Sequence, residues 1–224
     1  MKQFFHRRNG IAMPKRFFSN ASCEEVLDGY DAWAPTYDRD VDRLGYRTPA
    51  TLARLVERHC PQRNAHLLDI GAGTGLVGDA LRRRGYRHLT GLDASASMLR
   101  QAARKGVYKR LVRMHLGGRL GFRDQSFDGI VAGGVYSPGN APLSSLAEIG
   151  RLVRHGGWIF TSLQWDGWYE KQFQRSLERP GAAGRWRCQA CSAVYGSWPG
   201  VADGPRTRVL VYRIQPVSSS AETD

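Results

Sequence analysis

The stretch His66-Leu-Leu-Asp-Ile-Gly-Ala-Gly-Thr-Gly75 decides how this chain folds. A short apolar run reaches Asp69 and Ile70, and glycines follow at 71, 73 and 75. Leu76, Val77, Ala80 and Leu81 then recur at helical spacing. The pattern is a strand, a tight turn and a helix. Glycines let the backbone enter left-handed conformations and let a ligand lie against bare main chain. The helix start adds free N–H groups and a positive partial charge. In an open α/β sheet, ligands bind at such strand ends.

Working outward, the same alternation continues. Further strands are expected over 88–92, 107–114, 127–132 and 158–163. Helices are expected over 75–84, 95–105 and 142–154, the first two closed by Gly85 and Gly106. Strict β/α alternation predicts a parallel sheet with helices on both faces. Upstream, Leu27, Tyr30, Trp33, Ala34 and Tyr37 recur at helical spacing, with a break at Pro35. Thr48-Pro49 reads as a cap and first helical residue before Leu52, Leu55 and Val56. Downstream, 165–177 reads as a helix and 180–205 as Gly- and Pro-rich and unpatterned, while 207–214 alternates like a strand. The organisation expected is a basic, disordered leader (1–23), one domain (24–215) and a disordered tail (216–224). The domain divides into a helical cover (24–65), a core (66–163) and a substrate-side insert with the last strands (164–215).

The ligand can be narrowed. Gly73-Thr-Gly75-Leu-Val-Gly78 spells G-x-G-x-x-G, but in the wrong register for a dinucleotide. The glycine that follows the strand, Gly71, begins G-x-G-x-G instead. No G-K-[ST] follows, which excludes a phosphate-binding loop. Asp69 at the strand end would sit badly beside a pyrophosphate and suits a ligand with an ammonium. Asp93, at the end of the second strand, can accept hydrogen bonds from both ribose hydroxyls. A nucleoside with an amino-acid-like end meets both demands, and S-adenosylmethionine (SAM) fits.

These residues resemble the class I SAM-dependent methyltransferases. Leu68-Asp-Ile-Gly-Ala-Gly-Thr-Gly75 is similar to their first motif and Asp93 to their second-strand acid. Ser126-Phe-Asp-Gly-Ile-Val131 resembles the fourth-strand motif, and Arg154-His-Gly-Gly-Trp158 the turn into the fifth strand. More narrowly, Tyr30-Asp-Ala-Trp-Ala-Pro-Thr-Tyr-Asp38 and Gly134-Val-Tyr-Ser-Pro-Gly-Asn-Ala-Pro142 resemble the Williams-Beuren-region-27, or methyltransferase-like 27, group. The resemblance implies an α/β, Rossmann-like three-layer sandwich. Its mostly parallel seven-stranded sheet has order 3-2-1-4-5-7-6, with 207–214 as the antiparallel seventh strand. It implies cofactor contacts at Tyr37, Asp69, Gly71, Ala72, Gly73, Asp93, Ala94, Met98, His115, Leu116 and Gly133. At one of these the chain departs from the family, because His115 stands where an acid usually meets the adenine amino group. A neutral imidazole can accept the same hydrogen bond.

Methyl transfer is an in-line displacement, so the protein mainly aligns two reactants. Candidates for the acceptor side are Trp33, Tyr136, Asn140 and Trp165. No catalytic base is evident. A metal is not expected, since Cys188-Gln-Ala-Cys191 has no second pair to complete a site. The leading function is methylation of a small molecule, and the alternatives are an RNA or protein methyltransferase and a SAM-binding pseudo-enzyme.

The 224 residues carry 33 Lys and Arg against 20 Asp and Glu, a net charge of +13. Residues 1–23 contribute +5, 24–65 contribute −2, 66–163 contribute +8 and 164–224 contribute +2. The surplus sits on the leader and the core rather than on the segments expected to meet substrate, so nucleic acid is permitted but not favoured. No apolar run approaches the roughly 18 residues of a membrane helix. The chain is expected to be a cytoplasmic monomer, or a mitochondrial one if residues 1–18 are a transit peptide.

Overall fold

The computed structural model describes residues 5–8, 11–14, 22–137, 140–179, 182, 185–201 and 204–216. Its central sheet has eight strands: β1 His66–Ile70, β2 His88–Asp93, β3 Arg110–Arg113, β4 Phe127–Tyr136, β5 Val153–Gln164, β6 Trp186–Cys191, β7 Tyr195–Gly196 and β8 Arg206–Ile214. The order is 3-2-1-4-5-8-6, with the two-residue β7 also paired to β8. Strands β1 to β5 pair parallel with one another, and β8 is antiparallel to β5, β6 and β7. The expected sheet is therefore right in strand order and direction. Its count is corrected from seven to eight, because Tyr195–Gly196 adds a strand inside the segment read as unpatterned. That segment also holds β6, whose outward residues leave no apolar alternation to read.

Among the described residues, seven helices flank the sheet: α1 Cys23–Trp33, α2 Tyr37–Arg43, α3 Thr48–His59, α4 Leu76–Arg83, α5 Ala96–Lys105, α6 Ser145–Leu152 and α7 Gly167–Leu177. Period-two alternation sorts the strand side chains between two cores. Leu68, Ile70, Ile130 and Ile159 pack with Leu146, Ile149 and Leu152 of α6 and Phe173 of α7. Leu67, Leu89, Val131 and Phe160 pack with Leu52 and Val56 of α3 and Val77 and Leu81 of α4. Thr48 is not the cap expected: it lies inside α3, buried, after an N-cap at Arg47. At the start of β5, Val153 already pairs with Phe127, and residues 154–157 loop out before Trp158 meets Gly129. Gly157 is needed there, because a Cβ would sit 2.8 Å from the Asp128 carbonyl oxygen. In the leader, Phe5–Arg8 and Ile11–Pro14 pair antiparallel where no order is expected. The rest of residues 1–21 and the tail 217–224 lie outside the described residues.

Beneath the glycine turn lies a buried polar pair. Tyr108, in the link from α5 to β3, runs its ring under the turn and donates a hydrogen bond to Asp69 Oδ2 at 2.6 Å. Three glycines make room for that ring. A Cβ at Gly75 or Gly91 would lie 3.1 Å from it, and one at Gly78 only 2.4 Å from its Cζ and hydroxyl. The glycines that spell G-x-G-x-x-G are thus partly a seat for Tyr108. Asp69 is 1% exposed and its Oδ1 has no hydrogen-bond partner. Burial pushes its carboxyl up to about 7, against the hydrogen bond from Tyr108.

Two outcomes follow. Helix propensity alone makes Gly78→Ala stabilising by about 1 kcal/mol. The Tyr108 contact makes it a net loss of roughly 1–2 kcal/mol, read by urea unfolding. Asp69 has a folded pKa of about 7 against an ordinary 3.8. The native state therefore keeps a proton that the unfolded chain releases. Its stability contribution is present below about 4 and is lost as pH rises to about 7, on the order of 4 kcal/mol in all. The difference in stability between the parent and Asp69→Asn should change across that window and be flat above it.

Candidate functional site

The carboxyl ends of β1, β2, β4 and β5 open into one cavity of about 420 Å³. At the β1–β2 end, two backbone donors fix a carboxylate. The Gly73 N–H donates to Asp93 Oδ2 and the Ser95 N–H to Asp93 Oδ1, each at 2.8 Å. A carboxylate has about four acceptor sites, so Asp93 keeps two for a ligand. Burial pushes its pKa up, against the backbone hydrogen bonds from Ser95 and Gly73. Gly71 and Gly73 hold positive φ values of 65° and 54°. A Cβ at Gly73 would meet nothing closer than 3.9 Å, so the turn leaves bare backbone beside open space. Ala94, Met98, Met114, His115 and Leu116 complete this end, and Gly133 lines the middle.

The cover helices roof the cavity through polar contacts to its rim. Asp31 of α1 accepts from the Ser95 hydroxyl and the Ser97 N–H. Asp38 of α2 accepts from the Thr74 hydroxyl and pairs with Lys105, which also donates to the Thr74 carbonyl. Tyr37 faces the cavity, and its ring packs edge-on against Trp33 at 4.6 Å.

Eleven of the fifteen residues expected in the site line this cavity: Tyr37, Gly71, Gly73, Asp93, Ala94, Met98, His115, Leu116, Gly133, Tyr136 and Asn140. Four do not. Asp69 is expected to meet an ammonium, but its side chain points beneath the turn to Tyr108. Ala72 packs inward, with its N–H on the Leu92 carbonyl at 2.9 Å. Trp33 is core: 2% exposed, its indole N–H donates to buried Asp40, which fixes the α1–α2 corner. Trp165 turns outward under the Arg208 guanidinium, 4.2 Å from its ring centroid. Of the two acceptor-side residues that do line the cavity, Tyr136 is 1% exposed, with its hydroxyl on Ser145. Asn140 donates to Ser137 Oγ at 2.7 Å and the Gly134 carbonyl at 3.2 Å.

The other end of the cavity went unread in the sequence. Tyr46 comes from the α2–α3 link and Thr48 from the start of α3, while Ser197 and Trp198 follow β7 and Thr207 lies on β8. The two segments are tied by Arg47 N–H to the Ser197 carbonyl and Gly200 N–H to the Leu44 carbonyl, both at 3.1 Å. Ser162 lines this region too, and its hydroxyl accepts from the Gly134 N–H at 2.7 Å. Among the described residues, no group of three or more His, Cys, Asp or Glu is placed to hold a metal. Cys188 and Cys191 are free thiols on the exposed edge strand β6. No described helix is long and apolar enough to cross a membrane.

Comparison with known proteins agrees with this geometry. The family of the methyltransferase domain matches residues 68–161. The 18S rRNA (guanine-N(7))-methyltransferase RID2 of Arabidopsis thaliana is 44% identical over 66 residues, 30% of this chain and 22% of that protein. The crystal structure of Burkholderia thailandensis 1,6-didemethyltoxoflavin-N1-methyltransferase, with bound 1,6-didemethyltoxoflavin and S-adenosylhomocysteine, shares the fold. Its TM-score is 0.60 at 19% identity, over 94% of this chain and 98% of that one. Human methyltransferase-like protein 27 is 34% identical over 168 residues, 72% of this chain and 68% of that protein. A match of that length, carried through the glycine turn and Asp93, places the chain in the methyltransferase-like 27 family of class I SAM-dependent methyltransferases.

Proposed function

We propose that this chain methylates a small-molecule acceptor, with SAM at the β1–β2 end of the cavity and the acceptor at the Tyr46–Trp198 end. The observation that carries the reading is the roof. Helices α1 and α2 are pinned over the glycine turn, and the 197–201 segment is pinned to residues 44–47. The result is a roofed, half-open cavity rather than a flat, open groove for a polymer. The exposed Arg87, Lys109 and Arg110 stand at the amino ends of β2 and β3, opposite the cavity. These three basic side chains are therefore spatially separate from the chemistry.

The residues of the β1–β2 end fit the cofactor. The two free acceptor sites of Asp93 take the ribose hydroxyls. His115 accepts from the adenine amino group through a neutral imidazole nitrogen, and Met98 and Leu116 pack on the base. Gly71 and Gly73 let the amino-acid end pass close to the main chain, and Tyr37 covers it. When bound, the cofactor supplies a methyl group on positively charged sulfur. The chain's part is alignment and exclusion of water, and alignment can lower a barrier by about 7–11 kcal/mol in favourable cases. A monomer in the cytoplasm belongs to the same proposal.

A second reading, an RNA methyltransferase, is favoured by the short match to the plant rRNA enzyme. Incubating the purified chain with methyl-labelled SAM and a fractionated cell extract decides between them. Label should enter the small-molecule fraction, whereas label in RNA, with binding that falls steeply with salt, would support the second reading. The cofactor assignment has its own test. Calorimetry should show Asp93→Ala weakening SAM about thirtyfold or more, from the loss of two hydrogen bonds. Asp93→Asn should fall between the two, and an unchanged Asp93→Ala affinity would mean the ribose lies elsewhere.

A further inference from the structure

The acceptor end has a chemistry of its own. Tyr46 and Trp198 pack edge-to-face, ring centroids 6.5 Å apart, and both border the cavity. Tyr46 reaches the heart of the site: its hydroxyl lies 3.2 Å from where a Cβ on Gly134 would be, at the end of β4. Burial pushes its phenol up, against the hydrogen bond with the Thr48 side chain. Thr48 in turn accepts from the Tyr195 hydroxyl at 3.2 Å. Ser197 and Thr207 share a hydrogen bond on the facing wall, and Gln164 lines the floor. The polar groups here are hydroxyls and an amide. Among the described lining residues, the charged carboxylate Asp93 stands at the cofactor end.

Aromatic faces and neutral dipoles in a half-open cavity select for shape and hydrogen bonding. A flat ring gains stacking area against Trp198, and a ring nitrogen or carbonyl finds a donor in the Tyr46 hydroxyl. A carboxylate or ammonium would give up its hydration without an opposite charge to replace it. We infer that this end is a subsite for an uncharged, planar heteroaromatic acceptor. Trp198 supplies the stacking face and Tyr46 the hydrogen bond that sets the ring's orientation. The inference rests on the methyltransferase reading and narrows it to a substrate class.

The test uses the full chain saturated with S-adenosylhomocysteine, so that binding is read without turnover. Calorimetry compares three probes of similar size above neutral pH: quinoline, 2-naphthoate and 1-naphthylmethylammonium. Quinoline should bind saturably and the two ions at least about tenfold more weakly. Trp198→Ala should weaken quinoline about tenfold and Tyr46→Phe roughly three- to tenfold, with S-adenosylhomocysteine affinity unchanged in both. That unchanged affinity shows that the variants fold. Equal binding of either ion, or quinoline affinity unmoved by both substitutions, overturns the subsite. Binding of S-adenosylhomocysteine without quinoline overturns this inference alone. Failure of the parent chain to bind S-adenosylhomocysteine overturns the methyltransferase reading and the inference with it.

Discussion

A phenol–carboxylate hydrogen bond under a turn of glycines holds the cofactor side together. Asp69 ends the central strand in a position from which water is excluded, and no cation neutralises it in the contacts it makes. A carboxylate so placed must be neutralised or hydrogen-bonded, because its desolvation is otherwise far too costly. Tyr108 meets the demand, and its ring needs Gly75, Gly78 and Gly91 to be bare. The pair thus links three consecutive units of the fold: the first strand and its helix, the second strand, and the link to the third. The turn above it presents the Gly73 N–H to Asp93, so the acid that closes the cofactor end is set by the pair below it.

Glycines and an acid at a strand end are visible in the sequence, but what each one touches is not. Strand–turn–helix and the second-strand acid follow from local patterns, because both sheet faces are buried and each strand is a compact apolar run, whereas the sheet order follows from the family resemblance. Asp69 shows where such a reading stops. The same residue type at the same spacing serves a ligand ammonium or an internal hydrogen bond. Its partner, Tyr108, sits 39 positions away in a link that carries no periodicity. Trp33 and Trp165 illustrate the same limit for large aromatics. Trp33 is captured by Asp40 one helix on, and Trp165 by Arg208 on the antiparallel strand.

The acceptor side was illegible for a topological reason. Tyr46 lies in a four-residue link between helices, and Trp198 in a loop after the shortest strand. Neither segment has an apolar period. They meet because β8 returns through the sheet beside β5 and delivers the insert back over the N-terminal cover. A contact between residues more than 150 positions apart leaves no local trace.

This division bears on what relatives can teach. The matched family segment, 68–161, runs from β1 into β5 and stops before Gln164. It spans the glycine turn, Asp93, His115 and Gly133, which line the proposed cofactor end of the cavity. Tyr46, Thr48, Trp198 and Thr207 all lie outside it. The proposed cofactor end is thus carried largely by one contiguous stretch, which includes the seat for Tyr108. The proposed acceptor end adds side chains from outside it: Tyr46 reaches in to Gly134, and Thr207 sits on β8, which pairs along β5. Proteins that share the contiguous part with this chain can therefore keep one cofactor and differ in what they methylate. The side chains to compare when transferring a substrate from one to another are those at 46, 48, 198 and 207, not those of the motif.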